Sequence, residues 1–222
     1  MRIEMIILDY DLTIVNNYVD FYETYCNALR YYGVDPPSFD EFVKMIENNT
    51  LSSKIPRNID EQEFWKYFRK IYISRHSWLR RGFIEFALLL RNMGAKFIVI
   101  SGRETSPEYI WLDLRRLGID HLIDDVITMS MLQEINGHED FPFDKSSLIE
   151  YAMQKHGIIM NNIICIGDYI TDYYSCVKKG LIFIGINDIE KRNQVLRESG
   201  VKIISRDFME LLPIILDLVR EQ

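Results

Sequence analysis

Cysteine is scarce in this 222-residue chain: Cys26, Cys165 and Cys176 are all there is, without paired metal-ligand spacing. An odd number so placed argues against a disulfide framework and a zinc site, and the thiols are expected to be buried and reduced. No apolar run approaches the roughly 20 residues of a transmembrane helix. Met1-Arg2-Ile3-Glu4 lacks the basic and apolar regions of a secretory leader. The expected location is therefore cytoplasmic, with no membrane partner. Positive net charge is missing too. At a formal net charge of -7 the average field repels nucleic acid, which is not an expected partner. There are no internal repeats and no low-complexity tracts.

What is present is ordinary material for a packed core, with 48% hydrophobic and 27% charged residues, enough for one sizeable domain and a small elaboration. Short apolar runs rich in isoleucine predict buried parallel strands at Ile3–Leu8, Lys96–Ile100, Asp125–Thr128, Asn162–Ile166, Leu181–Ile184 and Val201–Ile204. Between them, helical spacing covers Phe83–Met93, Pro107–Leu117, Lys145–His156 and Tyr173–Lys179. Each run is closed by a glycine: Gly94, Gly118, Gly157 and Gly180. Alternation of this kind predicts an α/β fold, a Rossmann-like parallel sheet with helices on both faces. Ligands then bind outside the carboxyl ends of the strands.

Residues 16 to 79 break the alternation. Helical patterns at Tyr18–Tyr32, Phe39–Asn48 and Glu61–Ser74, with no convincing strand, predict a small all-helical insertion into a core formed by 1–15 and 80–222. Its many aromatic side chains should form the insertion's own core.

The strand ends carry the chemistry. Asp9 and Asp11 follow the first strand, Ser101 and Gly102 the second, Lys145 opens a helix, and Asp168 and Asp172 follow the fourth. Carboxylates gathered at one edge repel one another unless a cation is present, which asks for a hard ion such as Mg²⁺. Magnesium keeps positions open for substrate oxygens, which favours phosphoryl transfer. Ser101, backbone N–H groups near Gly102 and the Lys145 ammonium would then hold the phosphate.

Three of these segments resemble a known family. Asp9-Tyr10-Asp11-Leu12-Thr13 resembles the DxDxT signature of the haloacid dehalogenase superfamily. Ile98-Val99-Ile100-Ser101-Gly102 resembles its second motif, and Gly167-Asp168-Tyr169-Ile170-Thr171-Asp172 its fourth, GDxxxD. The third motif departs from the Lys-Pro common in such members. Lys145 is followed by Ser146, yet it stands 22 residues before Gly167 and opens the helix leading to the fourth-motif strand. The insertion after the first motif is similar to the helical cap of the branch that includes phosphoglycolate phosphatases and β-phosphoglucomutases.

The resemblance implies a magnesium-dependent phosphatase acting on a small phosphorylated metabolite. It makes Asp9 the nucleophile that forms an aspartyl-phosphate and Asp11 the general acid/base, with the Asp11 backbone carbonyl at the metal. Thr13 would orient Asp11 beside the phosphate. Asp168 becomes a direct metal ligand, and Asp172 an outer one bonded to a metal water or to Lys145. An acid two residues after the nucleophile argues against a dehalogenase, and Tyr10 in place of lysine against an ion pump. A phosphomutase, and a non-catalytic phospho-ligand binder, are the competing readings. Hinges are expected around 14–17 and 77–80. Lys54 and Arg57, in the polar run between two cap helices, are read first as solvated surface charge and second as partners of another anionic group on the substrate. Residues 129–144 form a long connection near the active edge, first a plain surface loop and second a part of the cleft, and His138 within it is not expected to be catalytic.

Overall fold

A computed structural model describes residues 2–220. Met1, part of the leader reading, and Glu221 and Gln222, at the end of the expected core segment, lie outside the described residues. Among the described residues, the strands β1 (Met5–Leu8), β4 (Lys96–Ser101), β5 (Asp125–Thr128), β6 (Ile163–Gly167), β7 (Ile182–Ile186) and β8 (Ile204–Ser205) form one sheet in the order β5-β4-β1-β6-β7-β8. All its pairings are parallel. The order reverses at β1, which lies between β4 and β6. Leu8 is in register with Val99 on one side and Ile166 on the other, so Asp9 emerges level with the ends of both neighbours. This is the switch-point crevice where open α/β sheets bind ligands.

Side-chain alternation along the strands sorts the core onto two faces. Ile6, Leu8, Phe97, Val99, Ile164 and Ile166 pack against α4 (Phe83–Asn92), α5 (Pro107–Arg116) and α9 (Phe208–Arg220). Met5, Ile7, Ile98, Ile100, Ile163 and Cys165 face α6 (Ser146–His156), α7 (Ile170–Val177) and α8 (Glu190–Glu198). The four glycines expected to close helices all have positive φ, from 65° at Gly157 to 94° at Gly94. Cys26, Cys165 and Cys176 are buried and free. No helix among the described residues is long and apolar enough to cross a membrane.

A third apolar cluster belongs to α1 (Tyr18–Tyr31), α2 (Phe39–Glu47) and α3 (Glu61–Ile71), built on Tyr25, Phe42, Phe64, Trp65 and Phe68. Short strands β2 (Val15–Asn16) and β3 (Trp78–Leu79), which the sequence pattern did not reveal, pair antiparallel where the chain enters and leaves this helical segment. Further differences have local causes. Helix α7 starts three residues before the expected Tyr173, because the Asp172 carboxylate accepts from the Tyr169 N–H at 3.2 Å and caps the first turn. The last strand is two residues long, set by Gly185 and Ile186 of β7. Helix α9, which the sequence pattern did not reveal, accommodates Pro213 inside it.

Candidate active site

The loop leaving β1 makes a tight turn. N–H groups of Thr13, Ile14 and Val15 all converge on the Tyr10 carbonyl at 3.1–3.4 Å, and Leu12 sits in the left-handed region at φ 60°. A non-glycine residue there costs about 1–3 kcal/mol and persists when its surroundings impose it. Arg80, buried, supplies that constraint. Its Nη2 donates to the Leu12 carbonyl at 2.6 Å and its Nε to the Thr13 carbonyl at 3.1 Å. The turn thus holds Asp9 and Asp11 in fixed positions at the carboxyl edge.

Asp11 is gripped by residues that motif reading passed over. Arg103 donates to both of its carboxylate oxygens, Nε to Oδ2 at 2.9 Å and Nη2 to Oδ1, and Asn17 Nδ2 donates to Oδ1 at 2.5 Å. The Arg103 guanidinium lies over the rings of Tyr72, at 4.5 Å, and Tyr10, at 5.2 Å. Burial acts to lower the Arg103 pKa, but the attraction of Asp11 outweighs it and the net shift is upward. Ser101 Oγ is 3.5 Å from Asp11 Oδ2 and accepts from the Arg103 N–H at 3.2 Å. The expectation for Thr13 needs correction: the turn at Leu12 carries its hydroxyl to Asp168 Oδ1, 3.4 Å away, and Arg103 and Asn17 orient Asp11 instead.

Lys145 bridges two acids, donating from Nζ to Asp9 Oδ1 and, at 2.7 Å, to Asp172 Oδ1. Its backbone N–H is held by Ser175 Oγ at 2.9 Å. Gly167 allows the close approach: a Cβ there would lie 2.7 Å from both Cβ and Oδ2 of Asp172. Gly102 plays a similar part, since a Cβ would come within 3.0 Å of the Phe143 ring. Asp168 is bonded by Arg192 Nη1 at 2.7 Å, and Asn187 Nδ2 holds its carbonyl at 3.0 Å.

Charge balance at this edge is strained. Burial pushes the Asp9 carboxyl well above the usual range; Lys145 opposes this, while Asp172, Asp168 and Asp11 add to it. Burial also lifts Asp168 to about 6 despite Arg192. Lys145 is pushed down by burial but raised overall by Asp172 and Asp9, so it stays charged. Carboxylate oxygens of Asp9, Asp168 and Asp172 all lie within 4.8 Å of one another. An all-oxygen cluster of partly uncompensated acids fits a hard divalent cation.

A cavity of about 420 Å³ opens over these residues. Phe21, Trp65, Phe68 and Tyr72 of the helical segment line it, so part of the aromatic set faces the site as well as its own core. Phe141, Pro142 and Phe143 line it too, giving the 129–144 connection the second of its two readings, whereas His138 is exposed. Lys54 and Arg57 are exposed and do not line the cavity; the half-buried Ser52 does. Arg69 reaches across from α3 to Glu139 at 2.5 Å and to Glu104 at 3.0 Å. Arg103 was open to discovery, two residues beyond Ser101 at a strand end. Arg192, on a helix distant in sequence, left no signal.

The profile of the haloacid dehalogenase-like hydrolase family matches residues 6–186. No curated protein matches the chain at a significant level. Among solved structures, a protein from Clostridium acetobutylicum described as a predicted phosphatase superposes with a TM-score of 0.77 at 18% identity, covering 98% of this chain and 100% of that one. One from Haemophilus somnus 129PT, described as a predicted phosphoglycolate phosphatase, gives 0.71 at 20% identity, covering 96% and 98%. A haloacid dehalogenase-like family hydrolase from Streptococcus pneumoniae gives 0.72 at 16% identity, covering 96% and 98%. At these identities the likeness is one of fold.

Proposed function

The chain belongs to the haloacid dehalogenase-like hydrolase family, and from that premise we propose that it is a magnesium-dependent phosphatase acting on a small phosphomonoester through an aspartyl-phosphate on Asp9. The observation that carries this reading is the pairing of Asp9 with a separately held Asp11. A halide leaving group needs no proton, whereas an ester oxygen does. Here a second carboxylate faces the cavity and is fixed there by Arg103 and Asn17.

Asp9 is the nucleophile. One carboxylate oxygen attacks phosphorus, the ester P–O bond breaks, and Asp11 gives its proton to the departing oxygen. In the second half, water attacks the same phosphorus as Asp11 takes its proton, and the acyl P–O bond breaks to release phosphate and restore Asp9. Lys145 and Ser101, with N–H groups near Gly102, hold the phosphoryl oxygens. Arg103 Nη1, buried and without a partner, is a further donor for them. Asp9, Asp168 and the Asp11 carbonyl would hold Mg²⁺, with Asp172 acting through Lys145 or a metal-bound water. The ion, when bound, offsets carboxylate repulsion and neutralises charge on the transferring group. Thr13, fully buried and outside the cavity lining, donates to Asp168 at 3.4 Å and would steady it.

Residues 16–79 are proposed to act as a cap on the core formed by 1–15 and 80–222, with hinges at the β2 and β3 crossings. The test is phosphate release from a panel of monoesters with and without Mg²⁺, with isomer formation measured alongside. Hydrolysis that requires Mg²⁺ and is abolished in Asp9→Asn supports the reading. Isomer without free phosphate would replace the hydrolase by a mutase, and ligand binding without turnover would make the protein a binder.

A further inference from the structure

Resting on the phosphatase reading, we infer that the substrate is a monoester whose leaving group is an uncharged mono- or bicyclic aromatic ring, not a sugar, a polyol or a second anion. Two independent features of the cavity point there.

One is its wall. Trp65 and Phe68 meet edge to face at 5.5 Å between ring centres, Phe68 meets Phe21 at 4.9 Å and Tyr72 at 5.2 Å, and Tyr72 lies against the guanidinium that holds Asp11. These rings make a continuous aromatic surface leading outward from the acid/base residue. Phe143, 5.9 Å from Trp65 and packed on Gly102, joins it from the core side, and Tyr169 lines the cavity beside Asp168. Such a surface stacks on a flat apolar ring and offers a substrate hydroxyl one unpartnered group, the buried Tyr72 OH.

The other is charge. Among the described residues the cavity is lined by five carboxylates, Asp9, Asp11, Glu61, Asp168 and Asp172, and by four cations. Each of those cations already has a carboxylate partner: Arg69 pairs with Glu139 and Glu104, Arg103 with Asp11, Arg192 with Asp168, and Lys145 with Asp9 and Asp172. A carboxylate on the leaving group, as in phosphoglycolate, would enter a site whose cations are all charge-paired, the unpartnered Arg69 Nε and Arg103 Nη1 belonging to guanidiniums already held by acids, next to Glu61. On the cap side the polar lining is Asn49, Ser52 and Glu61, and Ser52 and Glu61 are bonded together at 2.5 Å and share the Trp65 indole N–H. That leaves little for a ring of hydroxyls to bind.

Benzyl phosphate isolates the ring from leaving-group acidity, because it departs as an alcohol like ethyl phosphate or glycerol phosphate. We expect its kcat/KM to exceed that of ethyl phosphate, glycerol phosphate and phosphoglycolate by roughly tenfold or more, the size of one stacking contact. Benzylphosphonate should bind the Asp9→Asn protein correspondingly more tightly than ethylphosphonate or phosphonoacetate, by calorimetry. In Trp65→Leu and Phe68→Leu the benzyl-to-ethyl ratio should fall several-fold; a folding defect would lower both rates and leave the ratio unmoved. Equal rates for benzyl and ethyl phosphate, a preference for phosphoglycolate or a sugar phosphate, or an unchanged ratio in both variants would overturn the inference while leaving the phosphatase reading intact. Absence of hydrolysis of every ester would instead sink the phosphatase reading.

Discussion

Replacing Arg103 by Met removes both donors that fix the Asp11 carboxylate and leaves Asn17 as its main partner. The guanidinium is 2% exposed and Asp11 19%. Breaking a buried pair by removing one member costs about 3–5 kcal/mol, and the partial access of water to Asp11 puts this case near the lower end. For a chain of this size, a loss of about 3 kcal/mol lowers Tm by roughly 6–12 °C. Positioned acid/base groups contribute about 10²–10⁴ in rate, so freeing Asp11 should cut kcat by about 10²-fold. The two effects separate in a double-mutant cycle. Asp11→Asn with Arg103→Met leaves no unpaired charge, so its stability should recover to well above the sum of the single losses. Once Asp11 is gone, Arg103→Met should cost less further activity than it does beside an intact Asp11, the remainder being the loss of its Nη1 as a phosphate donor. Arg103→Lys keeps the charge but loses the two-pronged geometry, and should regain more stability than rate. Calorimetry and steady-state kinetics on the wild type and these four variants test this. Full additivity in both quantities, or wild-type kcat in Arg103→Met, would refute the role given to this residue.

Magnesium should raise Tm, with a pH dependence set by the acids it neutralises. The Asp168 pKa is raised to about 6 in the fold from an ordinary 3.8. Its charged form therefore destabilises the cation-free protein above about pH 6, and protonation relieves that cost as the pH falls toward 4. The Tm gain on adding Mg²⁺ is thus expected to be largest above pH 7 and to shrink through pH 6, as protons compete for the same oxygens; a gain independent of pH would count against this cation site. Lys145→Met leaves Asp9 and Asp172 without their shared ammonium and should abolish turnover, with Mg²⁺ affinity and rate measured separately. Gly167→Ala drives a Cβ into Asp172 and should cost about 1–3 kcal/mol in chemical denaturation; a neutral result would mean that the strand end gives way easily. Leu12 is buried, so Leu12→Gly should lose more in packing than it gains in relieved strain and lower stability in the same assay, and Leu12→Val, β-branched in the left-handed region, should lower it as well.

Much of the core was legible because parallel strands buried on both faces are written as short isoleucine-rich runs. The helices between them end at glycines that the left-handed cap requires. Asp9, Asp11, Ser101, Lys145, Asp168 and Asp172 could be placed together because each follows or opens such an element at one edge of the sheet. Side-chain partnerships across the chain were not legible. Nothing local to Arg192 says that it meets Asp168 across 24 residues, or that Arg69 will bridge to Glu139 and Glu104. Thr13 was misjudged because its direction depends on the left-handed Leu12, a conformation that leucine does not advertise. Lys54 and Arg57 looked suited to an anion by type alone, and the short helical turn at Leu51–Lys54 presents Ser52 to the cavity while both cations stay in solvent.

The central claim concerns Asp9 as a covalent nucleophile. Acid quenching of the Mg²⁺-loaded protein during turnover of benzyl phosphate, followed by peptide mass spectrometry, reads it directly. Phosphate should appear on Asp9 and be lost on treatment with hydroxylamine, and Asp9→Asn should carry none. Phosphate on another side chain, or an equally labelled Asp9→Asn protein, would contradict it.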